Sequence, residues 1–393
     1  MKAHRPSKLP YYLLEGSNSF ATAYYFNYLL FHLRDAFGFR NQDTLAVGAA
    51  HGFLYVIFSF FAGRFGQKKG YFNGLRIGFG GMFIGLVVGW IFQAWTMQLV
   101  ALAIWTVTIC FTWPVLEALV AEHEPAEQLP HKIGLYNVVW AGTAACGYFF
   151  GGGLFRVLGH ASLYWLPAGI CLLQWVATFG LQKKHDRWVA QTAADPQASL
   201  ADPGEKPVNP QLFRKLAWLG NPMNYMAVNT LMVVTPGIAT HAHLDLVQAG
   251  LVLGVWFWAR TVGFAILWWW HGWHYRFSWF VLAFVLLLGS FFALLTSHVV
   301  WQLVVAQVGF GFASALLYYS SLFYAMDGSD TKAEHGGVHE ALIGLGIFGG
   351  PAISTAAVAA TGNPSAPAWS VGSVLLLGLA TTLFLRKRYG QKV

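Results

Sequence analysis

The chain reads as long apolar runs separated by short polar breaks, with no sustained alternation of apolar and polar positions. The runs fall at about 10–34, 43–63, 71–92, 95–121, 132–156, 161–181, 212–240, 245–270, 275–296, 299–326, 335–361 and 366–386. At about 1.5 Å per residue each can cross, or nearly cross, a hydrocarbon layer about 30 Å thick. That pattern predicts twelve transmembrane helices. A membrane β-barrel would show alternating segments of about ten residues, whereas Val281 to Leu288 is continuously apolar. The expected fold class is therefore all-α and polytopic.

The breaks carry as much information as the runs. Between the second and third runs lies Phe61-Ala62-Gly63-Arg64-Phe65-Gly66-Gln67-Lys68-Lys69-Gly70, a short basic loop rich in glycine. Residues 182–211 form a polar stretch with repeated prolines, from Lys183-Lys184-His185-Asp186-Arg187 to Asp202-Pro203-Gly204-Glu205-Lys206-Pro207. This stretch reads as a linker between an N-terminal six-helix unit, residues 1–181, and a C-terminal one, residues 212–393. The units look related. Gly16-Ser17 can be laid against Gly220-Asn221, Glu122 against Asp327, Gly134 against Gly337 and Gly147 against Gly350. Together these matches favour a duplicated six-helix unit.

Composition removes the soluble alternatives. The chain is 56% hydrophobic and 10% charged, against about 25% charged in soluble domains. Its net charge of +8 does not point to nucleic acid, because the cations cluster beside the ends of the runs. With the N-terminus inside, about 20 of the 24 Lys and Arg fall on the cytoplasmic side. Arg34, Arg40 and Arg156 are left outside. The first run lacks a cleavage site and is expected to stay as the first span. Cys110, Cys146 and Cys171 lie in predicted spans without metal-ligand spacing, and read as packing residues with no disulfide.

Twelve spans, two halves and the basic loop resemble the major facilitator superfamily (MFS) of secondary transporters over essentially the whole chain. The loop is similar to that family's Gly-x-x-x-Asp-Arg-x-Gly-Arg-Arg/Lys signature. Arg64, Gly66 and Lys68 or Lys69 match it, while Ser59 replaces the first glycine and Gly63 the aspartate. The counterpart after the eighth span, His271-Gly272-Trp273-His274-Tyr275-Arg276, is degenerate.

The resemblance implies a gating role for Arg64, Gly66, Lys68 and Lys69. It also implies alternating access, a cavity lined by the first, fourth, seventh and tenth spans, and both termini cytoplasmic. A monomer in a bacterial inner membrane, with no cofactor, is expected. Without the usual aspartate, Glu117 or Glu122 is the expected partner of Arg64.

Ionisable groups inside a bilayer are costly and need a partner, a cavity or a route to the interface. Arg260 lies about ten residues from either end of its span, where snorkelling is hardest, and is the first candidate for binding an anion or pairing with a charge. His339 and Glu340 open the eleventh span among glycines, and Glu117 follows Pro114 in the fourth. With Glu15 in the first span, these are the candidate proton carriers, since carboxylates and imidazoles are common acid–base groups. Asn18, one turn from Glu15, joins Tyr25, Asn224, Asn229, Tyr318 and Tyr319 as candidate solute contacts through stacking and hydrogen bonds.

A rival reading is a membrane oxidase or desaturase with histidine boxes. His335 and His339 share a helix face, and His271 with His274 makes a second pair. The boxes are few, and His241-Ala242-His243 falls on the opposite side in this topology. A receptor that does not transport is the other alternative. No Walker loop is present, so ATP is not the expected energy source. The reading adopted is symport or antiport of a small or medium organic solute, coupled to H+, by a protein whose partners are that solute and the lipid bilayer, with no nucleic acid, metal or catalytic residue.

Overall fold

A computed structural model describes residues 7–122, 124, 128–192, 210–326 and 332–389. The chain between 193 and 209, Asp327, and the side chains of Glu334 and His335 lie outside the described residues.

The N-terminal bundle is built from α1 (Leu9–Phe37), α2 (Asn41–Lys69), α3 (Tyr71–Ile91), α4 (Trp95–Ile109), α5 (Trp113–Ala121), α6 (Leu129–Leu158) and α7 (Ser162–Thr192). The C-terminal bundle contains α8 (Pro210–His241), α9 (Leu246–Leu253), α10 (Val255–Trp269), α11 (Phe277–Thr296), α12 (Val300–Met326), α13 (Lys332–Thr361) and α14 (Ala366–Tyr389). Because α4 and α5 share one crossing and α9 and α10 another, the described helices make twelve crossings. Ten are long and apolar enough to cross a membrane by length and composition. The other two, α1 and α8, have 29 and 32 residues and carry more polar side chains.

Both broken crossings have local causes. Pro114 at the start of α5 lacks a backbone donor. The chain before it closes into tight turns, with Phe111 N–H donating to Thr108 O and Thr112 N–H to Ile109 O. At the α9–α10 break, Gln307 on α12 supplies substitutes for the missing helical bonds. Its Nε2 donates to Val252 O at 2.6 Å and its Oε1 accepts from Trp256 N–H at 3.3 Å. Backbone groups freed inside a membrane need such partners.

Two predicted breaks are shorter than the sequence pattern implied. α2 runs on through Lys69, so most of the expected basic loop is helix and the turn narrows to Gly70. Its φ of 95° suits a residue without Cβ. Similarly, α7 continues to Thr192, which makes the start of the expected linker helical. Hydropathy registers where a helix leaves the apolar layer, and the hydrogen-bonded helix continues past that boundary.

Glycines set the closest approaches. Gly147 on α6 lies against the Phe20 carbonyl of α1, and Gly350 on α13 against the Met226 carbonyl of α8. These are matching contacts in the two bundles. Between bundles, α2 packs along α13, and α6 packs along α9 and α10. Gly52 faces the Phe348 backbone, and Gly152 faces Leu246 O. Small residues allow such approach where lipid-facing surfaces gain little from hydrophobic burial.

Candidate transport site

A cavity of about 150 Å³ lies between the bundles. It is lined from α1 by Glu15, from α2 by His51 and Tyr55, from α5 by Glu117, and from α6 by Tyr136 and Trp140. The C-terminal bundle contributes Tyr225 and Asn229 from α8, Arg260 from α10, Tyr318 from α12 and Glu340 from α13. Pro114 and the break before it start α5 anew beside this space, which places Glu117 on the cavity wall.

Glu117, His339 and Glu340 converge. One carboxylate oxygen from each acid and one imidazole nitrogen all lie within 4.8 Å of one another. His339 and Glu340 are buried, and Glu117 is half-buried. Tyr55 donates its hydroxyl hydrogen to Glu340 Oε2 at 2.8 Å. His339 Nδ1 meets Ser321 Oγ at 3.0 Å, while its Nε2 has no hydrogen-bond partner. Among the described residues, no Lys or Arg nitrogen lies within 4 Å of Glu117 or Glu340. Glu15 is buried on the same cavity, with Ser19 Oγ donating to its Oε1 at 2.8 Å and its Oε2 unpartnered. The arrangement can hold a proton and pass it between carboxylates and an imidazole.

Arg260 is 2% exposed and sits in a cage of rings. Its guanidinium carbon is 4.6 Å from the Trp140 centroid, 5.0 Å from Tyr318 and 5.3 Å from Phe264. Nη2 donates to Tyr225 Oη at 3.4 Å and Nε has no partner. No carboxylate lies within 4 Å of Arg260 among the described residues, so the charge-pairing alternative for this residue is not realised there.

The other expected solute contacts divide. Asn229 and Tyr318 line the cavity, whereas Asn18, Tyr25, Asn224 and Tyr319 do not. Asn18 Nδ2 donates to Thr112 Oγ1 at 3.1 Å, tying α1 to the α4–α5 break. Tyr25 packs on Trp105 and Tyr164, and Tyr319 on Trp273 and Phe264. Asn224 is fully buried next to Tyr225, which is the neighbour that faces the cavity. A step of about 100° per residue separates a cavity position from a packing position.

The expected pairing of Arg64 with Glu117 or Glu122 is not found. Arg64 is exposed and stacks on Phe60, 4.1 Å from the centroid, with no carboxylate within 4 Å among the described residues. Glu117 is turned into the cavity. Glu122 faces His185 Nε2 at 3.6 Å, and its backbone carbonyl accepts from Lys8 Nζ at 2.8 Å. Gly66 is buried against Val115 of α5, while Lys68 and Lys69 are exposed in the last turn of α2.

His271 and His274 stand 5.2 Å apart by ring centroids, and no third metal-ligand side chain joins them among the described residues. Tyr55, Tyr225, Trp140 and His51 also line the cavity, and the sequence pattern did not single them out. His51 offered the plainest signal, an ionisable residue inside an apolar run.

The sequence matches the family described as Major Facilitator Superfamily over residues 13–336. Its fold is similar to the crystal structure of the human organic anion transporter MFSD10 (TETRAN), with a TM-score of 0.68 and 12% identity, covering 96% of this chain and 100% of that one. A search of curated proteins gave no match. With twelve crossings, two bundles and a cavity between them, the chain belongs to the major facilitator superfamily of membrane transporters.

Proposed function

We propose that this protein is a secondary active transporter that moves a small or medium organic solute by alternating access and couples it to protons. The observation that carries the reading is the convergence of Glu117, His339 and Glu340, with both carboxylates lining a cavity between the bundles and the imidazole beside them. Two carboxylates this close repel when both are ionised, and a proton taken up by the pair removes the repulsion. The pair also spans the bundles, with Glu117 on α5 and Glu340 on α13. Relative movement of the bundles changes their separation, and with it the affinity for the proton. Glu15, on the same cavity, extends the acid–base set.

Arg260, Asn229 and Tyr318 are the proposed solute contacts. Arg64, Gly66, Lys68 and Lys69 are assigned to the gate at the end of α2, where Gly66 lets that helix lie close to α5. The cationic side chains concentrated on the face that carries both termini support a cytoplasmic assignment for that face. The proposed setting is a bacterial inner membrane and the proposed state a monomer.

The test starts with thermal-shift screening of purified protein against sugars, nucleosides, peptides, organic anions and lipophilic drugs. A stabilising solute is then followed into proteoliposomes with and without a pH gradient. Accumulation that follows the gradient supports proton coupling. Equal uptake in both conditions would leave a facilitator, and no flux of any binding solute would favour a receptor.

A further inference from the structure

We infer that the solute is a monoanionic organic acid with a small apolar body, its carboxylate seated on Arg260 and its body held among the cavity aromatics. The inference rests on the transport reading above and names its substrate class.

A buried guanidinium is normally compensated by an anion. Arg260 is almost wholly buried and its Nε has no partner. Among the described residues it has no carboxylate within 4 Å, and rings surround it. Ring faces attract the cation but provide no negative charge to accept its N–H bonds. Arg260 also lines the cavity, so its unfilled donor capacity is available to whatever enters. A planar carboxylate matches the donor fork of arginine.

The size of the site and the charge on one face of the protein agree. About 150 Å³ is the volume of an engineered apolar cavity that binds benzene, so a body of about one ring fits this form of the site. On the face away from the termini, a separate recess of about 870 Å³ is lined by Arg34, Arg40, His241 and His298 and by no Asp or Glu. Arg40 is partly offset by Asp43 at 3.6 Å and Arg34 by neighbouring Asp35, neither of which is part of that lining. A recess with this charge on that face favours the approach of anions to the protein.

The test measures binding to the full-length purified protein, by thermal shift and by quenching of tryptophan fluorescence, since Trp140 lies against Arg260. The probes are benzoate, phenylacetate and hexanoate, each beside its matching amide and amine. The expected result is stabilisation and quenching by at least one acid, with its amide and amine at least tenfold weaker. Arg260→Gln is expected to lower affinity for that acid at least tenfold, and Arg260→Lys to retain the preference for acid over amide.

Amides or amines binding as well as the acids, no acid binding at all, or an unaltered acid affinity in Arg260→Gln would overturn the assignment. If Arg260→Gln does not fold, the acid-to-amide ratio of the unaltered protein decides alone. Acid binding without any uptake in proteoliposomes would leave the Arg260 site standing and remove the transport reading. Gradient-driven uptake of a solute that is not an acid would do the reverse.

Discussion

Tyr55 of α2 donates a 2.8 Å hydrogen bond to Glu340 of α13, joining the two bundles inside the cavity. Replacing Tyr55 by Phe removes the donor and leaves a buried carboxylate oxygen without that partner, at a cost of about 1–3 kcal/mol in this conformation. Tyr55→Phe and Glu340→Gln should therefore be non-additive in thermal unfolding, with an interaction energy on the order of 1 kcal/mol. Additive effects in the double mutant would show that the bond contributes nothing to holding the bundles together.

Gly52 and Gly63 should respond in opposite ways to the same substitution. A side chain at Gly52 would collide with the Phe348 backbone of the other bundle, while nothing lies within 4 Å of a Cβ at Gly63. Gly52→Leu is expected to hold α2 and α13 apart, seen as increased labelling of a cysteine placed in the mouth of the cavity, and to reduce transport at least tenfold. Gly63→Leu should leave both near their original values. Equal tolerance at the two positions would contradict the observed packing.

His274 gives the protein a specific response to acid. It lies between α10 and α11, stacked on Phe323 at 4.1 Å, and burial together with neighbouring His271 pushes its pKa down from 6.5 to about 4. The unfolded chain binds this proton near pH 6.5 and the folded chain only near 4. Acidification through that window favours the unfolded state, and the effect vanishes above it. His274→Phe should make the melting temperature less sensitive to lowering the pH from about 8 to about 5. An unchanged acid slope would show that His274 titrates normally in the folded protein.

The fold was legible because ten of the twelve crossings are long, predominantly apolar runs, and because Arg64, Gly66 and Lys68 or Lys69 sit where the family signature places them. Element ends were less legible, as α2 shows by continuing through residues expected to form a loop. Glu15, Glu117, Arg260 and Glu340, which line the cavity, and His339 beside them were singled out by one rule, that charge inside a membrane needs a reason. The uncharged contacts were harder. Asn224 and Tyr225 are adjacent and both compatible with a cavity, and only helical phase separates them. Tyr55 carries no charge, and its importance comes from a partner 285 residues away.

The central claim, that Glu117, His339 and Glu340 form the proton site, is tested most directly by comparing two modes of transport in the same proteoliposomes. Using a solute identified by the thermal-shift screen, uptake driven by a pH gradient is measured beside solute exchange at equal pH. Glu340→Gln and Glu117→Gln should each reduce gradient-driven accumulation at least tenfold while exchange continues, because the neutral amide cannot take part in the proton cycle but leaves the Arg260 contact in place. Gradient-driven accumulation at the original level in both variants would contradict the account.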